Sequence, residues 1–185
     1  FVIVAFAVAP PIEAWVRSLL RPTLPPMGEK PPPMRGLILL FSNEKTAWCA
    51  IDHHAQKLEY VFCVVTELME GRFNQFRLQL LARGLQVHPQ FMDDAYDQRE
   101  AAAAVLNCTH WARTKQLSSA DLICDVTGGT SIMSIGAALE SQRQGIAVQM
   151  VKARQTDKGP ELLHPVLIRF ELTEPNPPTQ PKEAN

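Results

Sequence analysis

Between residues 36 and 172, short apolar runs alternate with segments of helical period. Residues 36–41 (GLILLF) predict a strand buried on both faces, and 60–65 (YVFCVV) predict a second. A weaker third begins at 85–87; 122–126 (LICDV) and 146–151 (IAVQMV) give the fourth and fifth, and 166–172 (VLIRFEL) alternates like an edge strand. Between the second and third, Met69, Phe73, Phe76 and Leu80 recur at i, i+4, i+7 and i+11, one apolar stripe of a helix that Gly84 is placed to end. Asp93 or Asp94 is placed to cap a long helix carrying the AAAAVL run and Trp111. This order predicts an α/β fold, a doubly wound, mostly parallel sheet with helices on both faces, whose ligands bind at the carboxyl ends of the strands.

Proline and glycine usage marks the borders of that core. Twelve of the 15 prolines fall outside residues 34–173, and eight of the nine glycines fall within them. Residues 22–33 (PTLPPMGEKPPP) read as an extended Pro-rich linker, 34–173 as the folded domain and 174–185 as a disordered tail. Residues 1–21 open with nine apolar residues, FVIVAFAVA, followed by Trp15, Arg17 and Arg21. Three readings compete: the end of a transmembrane helix cut at its start, the end of a signal peptide, or a buried strand. Residue 1 is Phe rather than Met, and the aromatic and basic flank suits the first, a single-pass anchor in the cell membrane with the domain cytoplasmic. A soluble adaptor with an apolar N-terminal strand is the bland alternative.

With 18 Lys+Arg against 19 Asp+Glu in 185 residues, the chain lacks the uniformly basic surface of a non-specific nucleic-acid binder. Cys49, Cys63, Cys108 and Cys124 show no zinc spacing and read as free thiols; no metal and no cofactor is expected.

Two loops can carry chemistry. After the fourth strand the chain runs Thr127-Gly128-Gly129-Thr130-Ser131-Ile132-Met133-Ser134 into a helix. Paired glycines permit a tight turn that brings backbone N–H groups to a ligand, and hydroxyls at a helix start suit an anion. The segment is neither a Walker P-loop nor G-x-G-x-x-G. After the first strand come Ser42, Asn43, Glu44, Lys45, Thr46, Ala47 and Trp48, which stand beside the TGGT turn if strands one and four are neighbours. Ser42, Asn43 and Lys45 suit phosphate or ribose, unless Asn43 only caps the next helix and Lys45 is merely solvated; Trp48 either stacks on a base or packs in the core. Asp52, His53 and His54 suggest an acid–imidazole dyad, but adjacent helical residues face different ways and the group reads as surface polarity.

From Asp125 through Met133 and on to Ala138, the chain resembles the signature of CARF domains, the CRISPR-associated Rossmann-fold sensors, over about residues 34–172. The resemblance implies a Rossmann-like fold and a homodimer that binds a cyclic oligoadenylate, cyclic tetra-adenylate foremost, across its two-fold axis in type III CRISPR antiviral defence. By position, Thr127, Gly128, Gly129, Thr130, Ser131 and Met133 would line that site, with Ser42, Asn43 and Lys45 facing them. Ser131 stands where the pattern often has lysine, which removes one cation and weakens a claim to ring-nuclease activity. The apolar start and positive flank look like the membrane-anchored CARF effectors, in which binding is coupled to a pore or depolarisation; a higher oligomer in the membrane is a further expectation of that reading. A ring nuclease and a Rossmann-type mononucleotide- or dinucleotide-binding protein remain the alternatives.

Overall fold

The computed structural model describes residues 28–157 and 159–168. The apolar run at 1–9 and the tail from 174 lie outside them. Six strands, β1 (Gly36–Phe41), β2 (Tyr60–Thr66), β3 (Gln86–Met92), β4 (Leu122–Asp125), β5 (Ala147–Thr156) and β6 (Gly159–Ile168), form one sheet in the order β3-β2-β1-β4-β5-β6. All pairings are parallel except β5 with β6. Four helices, α1 (Glu44–His54), α2 (Glu70–Ala82), α3 (Gln98–Thr114) and α4 (Ser131–Arg143), cover the two faces.

The expected doubly wound sheet is present. β1, β2 and β4 are buried along nearly their whole length, as their unbroken apolar runs require. On one face Ile38, Leu40, Phe62 and Cys124 pack with Ala101, Val105 and Cys108 of α3 and Met133 and Ala137 of α4. On the other, Leu37, Leu39 and Phe41 pack with Ala50 and Ile51 of α1 and Phe73, Phe76 and Leu80 of α2. The α2 stripe thus faces inward as its period predicts, and Gly84 ends the helix at φ +78°. The four cysteines are free thiols.

Three expectations are corrected. Asp97, rather than Asp93 or Asp94, caps α3 by accepting from Arg99 N–H at 2.7 Å, while Glu100 reaches back to the N–H groups of Asp93 and Asp94 at 2.9 and 3.0 Å. The last strand lies earlier than read, at Gly159–Ile168, in a hairpin with β5. The end of the proline stretch is packed rather than a free spacer: Gly28 N–H donates to Leu167 O at 3.0 Å, Leu167 N–H to Glu29 O at 2.9 Å, and Pro31 is buried. Among the described residues no helix is long and apolar enough to cross a membrane.

Candidate functional site

β1 and β4 are hydrogen-bonded neighbours, and the chain leaves them in opposite directions across the sheet: from β1 to β2 by way of α1, from β4 to β5 by way of α4. That makes the carboxyl ends of β1 and β4 the topological switch point, where open α/β sheets bind ligands. The two loops read as candidates both start there.

The TGGT turn rests directly on the end of β1. A Cβ on Gly128 would collide with the Leu40 carbonyl oxygen and stand 3.3 Å from Ser42 N; one on Gly129 would be 2.6 Å from Leu40 Cδ1 and 3.0 Å from Met133 Cβ. Neither glycine is among the residues at positive φ. The segment turns tightly as expected, and what requires glycine there is close approach to the end of β1.

Most hydroxyls of the segment are engaged within the fold. Thr127 Oγ1 accepts from Val151 N–H at 2.7 Å, Thr130 Oγ1 donates to Ala95 O at 2.6 Å and accepts from Met133 N–H at 3.2 Å as the cap of α4, and Ser134 donates to Val126 O at 2.8 Å. Met133 is 3% exposed and belongs to the core. What faces outward is Ser131; of the N–H groups at the start of α4, Met133 N–H is taken by Thr130 Oγ1 and Ser134 N–H by Thr130 O, which leaves those of Ser131 and Ile132. Across from it Ser42 and Lys45 are exposed. Asn43 caps α1, accepting from Lys45 N–H at 2.9 Å. Trp48 lies away from this surface, edge-on to Phe76 at 5.0 Å and under the Arg83 guanidinium at 3.8 Å; it packs rather than waits for a base.

Beneath the turn lies a group the sequence reading missed. Asp125 is 1% exposed and accepts from Thr127 N–H at 3.0 Å and from Gln149 Nε2 at 2.9 Å. Burial raises its pKa, and the hydrogen bonds from Thr127 and Gln149 oppose that rise. Gln149 in turn bonds His54, fully buried and not surface polarity as expected; burial lowers its pKa to about 4. Asp52 is instead exposed and pairs with Arg83 at 2.6 Å, so no Asp52–imidazole dyad forms. The one legible signal was Gln149 itself, a polar residue within the otherwise apolar run 146–151. Among the described residues no cluster of His, Cys, Asp and Glu fit for a metal occurs.

No family model matches the sequence, and no curated protein does. Solved structures do. A type III CRISPR defence DNA nuclease activated by cyclic oligoadenylate superposes with TM-score 0.55 at 20% identity, over 78% of this chain and 23% of that one. Can2 from Sulfobacillus thermosulfidooxidans, in complex with cyclic tetra-adenylate, gives 0.52 at 14% identity, over 71% of this chain and 37% of that one. The fold is of the CARF type. Protein VC1899 from Vibrio cholerae also matches, with TM-score 0.51 at 6% identity, over 63% of this chain. The CARF-type chain described here therefore spans 23–37% of the length of these proteins.

Proposed function

We propose that this CARF-type domain is a sensor of cyclic oligoadenylate in type III CRISPR defence, that it binds the ring as a homodimer, and that binding is passed to a membrane segment at its N-terminus. The observation that carries the reading is the contact of the TGGT turn with the end of β1. It joins the start of α4, with the N–H groups of Ser131 and Ile132 and the positive dipole end, to Ser42 and Lys45 in one exposed surface suited to phosphate. Two structures of the same fold are named for cyclic oligoadenylate, one of them in complex with cyclic tetra-adenylate.

The same face offers an apolar stripe that a second copy would cover. Ile132 and Ile135 are 37% and 45% exposed on α4 beside the turn, and Leu139 extends the stripe at i+7. Pairing α4 with its two-fold mate would cover this stripe and present each turn twice to a symmetric ring. The membrane step rests on the apolar run at 1–9 and on Arg17 and Arg21.

Calorimetric titration with cyclic tri-, tetra- and hexa-adenylate, with ATP and NAD as controls, tests the sensor. One intact ring bound per dimer is the expected result. Recovery of cleaved ligand would move the protein to the ring nucleases, and binding of ATP or NAD alone would make it an ordinary nucleotide-binding fold. For the membrane step, the full protein in dye-loaded vesicles is expected to leak only when the bound ring is added.

A further inference from the structure

A line of side-chain hydrogen bonds runs through the interior from Met34, two residues before β1, to the TGGT turn. His54, the last residue of α1, accepts from Met34 N–H on Nδ1 at 3.2 Å. A backbone N–H can only donate, so Nδ1 is bare and the ring proton of the neutral imidazole sits on Nε2. Nε2–H then donates to Gln149 Oε1 at 3.0 Å. This fixes the orientation of the Gln149 amide, whose NH2 donates to Asp125 Oδ2 at 2.9 Å. Asp125 Oδ1 accepts from Thr127 N–H at 3.0 Å. Four links thus join five residues that α1, β4, β5 and two loops bring together.

Both ends are attached to parts that can report. At one end, residues 28–34 are held by β6 through Leu167 and by His53, whose Nε2 bonds Pro31 O at 2.7 Å. At the other, Thr127 also takes the Val151 N–H on its hydroxyl. The direction of the chain cannot reverse. Met34 N–H has no lone pair to offer, and in the carboxylate form both Asp125 oxygens are acceptors. With no alternative polarity, the chain is either intact or broken, and a break strands buried polar groups.

We propose that this chain couples the TGGT turn to residues 28–34, with His54 and Gln149 as positioning residues, so that occupancy of the turn changes how firmly the segment before β1 is held. The ligand half of this statement rests on the function proposed above. By linkage the coupling is reciprocal: loosening the segment changes ligand affinity by the same factor.

The test begins without ligand. Gln149→Met keeps the side-chain volume and removes both central links; His54→Asn keeps an acceptor near Met34 and removes the reach to Gln149. In folded Gln149→Met, amide hydrogen exchange is expected to rise about tenfold or more at both Met34 and Thr127, and in folded His54→Asn at Thr127, while the ladder amides of β1 keep their protection. Wild-type exchange at those amides would overturn the coupling. Should neither variant fold, nitrogen NMR of the unaltered chain still decides: the His54 ring must show the Nε2–H tautomer, and Nδ1–H would overturn the chain. Cyclic tetra-adenylate is then added. It is expected to change Met34 protection in the wild type and not in a folded variant that still binds it. A wild type that binds the ring with no change at Met34 refutes the coupling, whereas failure to bind refutes the ligand reading alone and leaves the ligand-free exchange result standing.

Discussion

Gly128 and Gly129 differ in what an added methyl group would meet. At Gly128 it is the Leu40 carbonyl, part of the central strand, which cannot move without disturbing the β1 ladder. At Gly129 it is chiefly the far end of the Leu40 side chain, which can rotate away. Gly128→Ala is therefore expected to destabilise by about 1–3 kcal/mol, the range for overpacking a tight site, and Gly129→Ala by less; urea denaturation of both variants checks the order. His54 supports a second prediction. Its folded pKa of about 4 lies below the ordinary 6.5, so between those values the unfolded chain binds more protons. Stability then rises with pH across that window, is complete near pH 7 and is lost as pH falls toward 4, by on the order of 3 kcal/mol. Burial is the main cause, with His53 also opposing protonation and hydrogen bonds to Gln149 and the Pro32 backbone favouring it; Asp125, beyond Gln149, has a pKa raised by burial and so the opposite slope. Comparing the pH dependence of urea midpoints in wild type and His54→Asn isolates the histidine, and equal slopes would refute the assignment. His54 and Gln149 were beyond the reach of sequence reading because their burial depends on α1 and β5 meeting across the sheet, a separation of 95 residues.

Elements were legible where burial on both faces left no ambiguity. β1, β2 and β4 follow their apolar runs to within a residue or so, and the α2 stripe needed only its period. β3 and β6 were less readable for a common reason: both lie at sheet edges, where polar residues and proline are tolerated. Pro89 sits within β3, and Pro160 and Pro165 within β6. Helix ends follow a shared pattern. α2 and α4 finish in Schellman motifs, with Gly84 and Gly145 at φ +78° and +70°. Their closing bonds run from Leu85 N–H to Leu80 O at 3.2 Å and from Ile146 N–H to Ser141 O at 2.8 Å. α3 ends in the same way but with Gln116 at φ +60°, bonded from its N–H to Arg113 O at 3.0 Å. A side chain in the left-handed region costs about 1 kcal/mol, partly offset by the freedom glycine has in the unfolded chain. Gln116→Gly is thus expected to raise stability by roughly 0.5 kcal/mol, seen as a higher urea midpoint with unchanged slope.

At the scale of the whole molecule, the switch point between β1 and β4 set the candidate site from sequence order alone, while the surface that surrounds it did not follow from that order. Hydroxyls of Thr127, Thr130 and Ser134 are drawn into the fold, so the outward chemistry of the turn rests on Ser131, backbone N–H groups and the facing Ser42 and Lys45. Few cations stand in this set, and a polyanionic ring bound by one copy would keep much of its charge in water. Presenting the surface twice doubles the donors and brings two lysines to one ligand, which is the physical reason to expect that dimerisation and binding go together. Ile135, 45% exposed on the outer stripe of α4, tests that link because it is neither buried in the core nor a donor to phosphate. Ile135→Glu would place a charge at the centre of the proposed α4 pairing, at a position outside the core of the monomer. Sedimentation is expected to show a shift to monomer, accompanied by at least a tenfold loss of affinity for cyclic tetra-adenylate. Lys45→Ala, by contrast, should weaken binding without changing the oligomeric state and should lower its salt dependence, since it removes a charge and no apolar contact. If Ile135→Glu remained dimeric with wild-type affinity, α4 would not be the interface, and the ring would have to be held by a different pairing of the same turns.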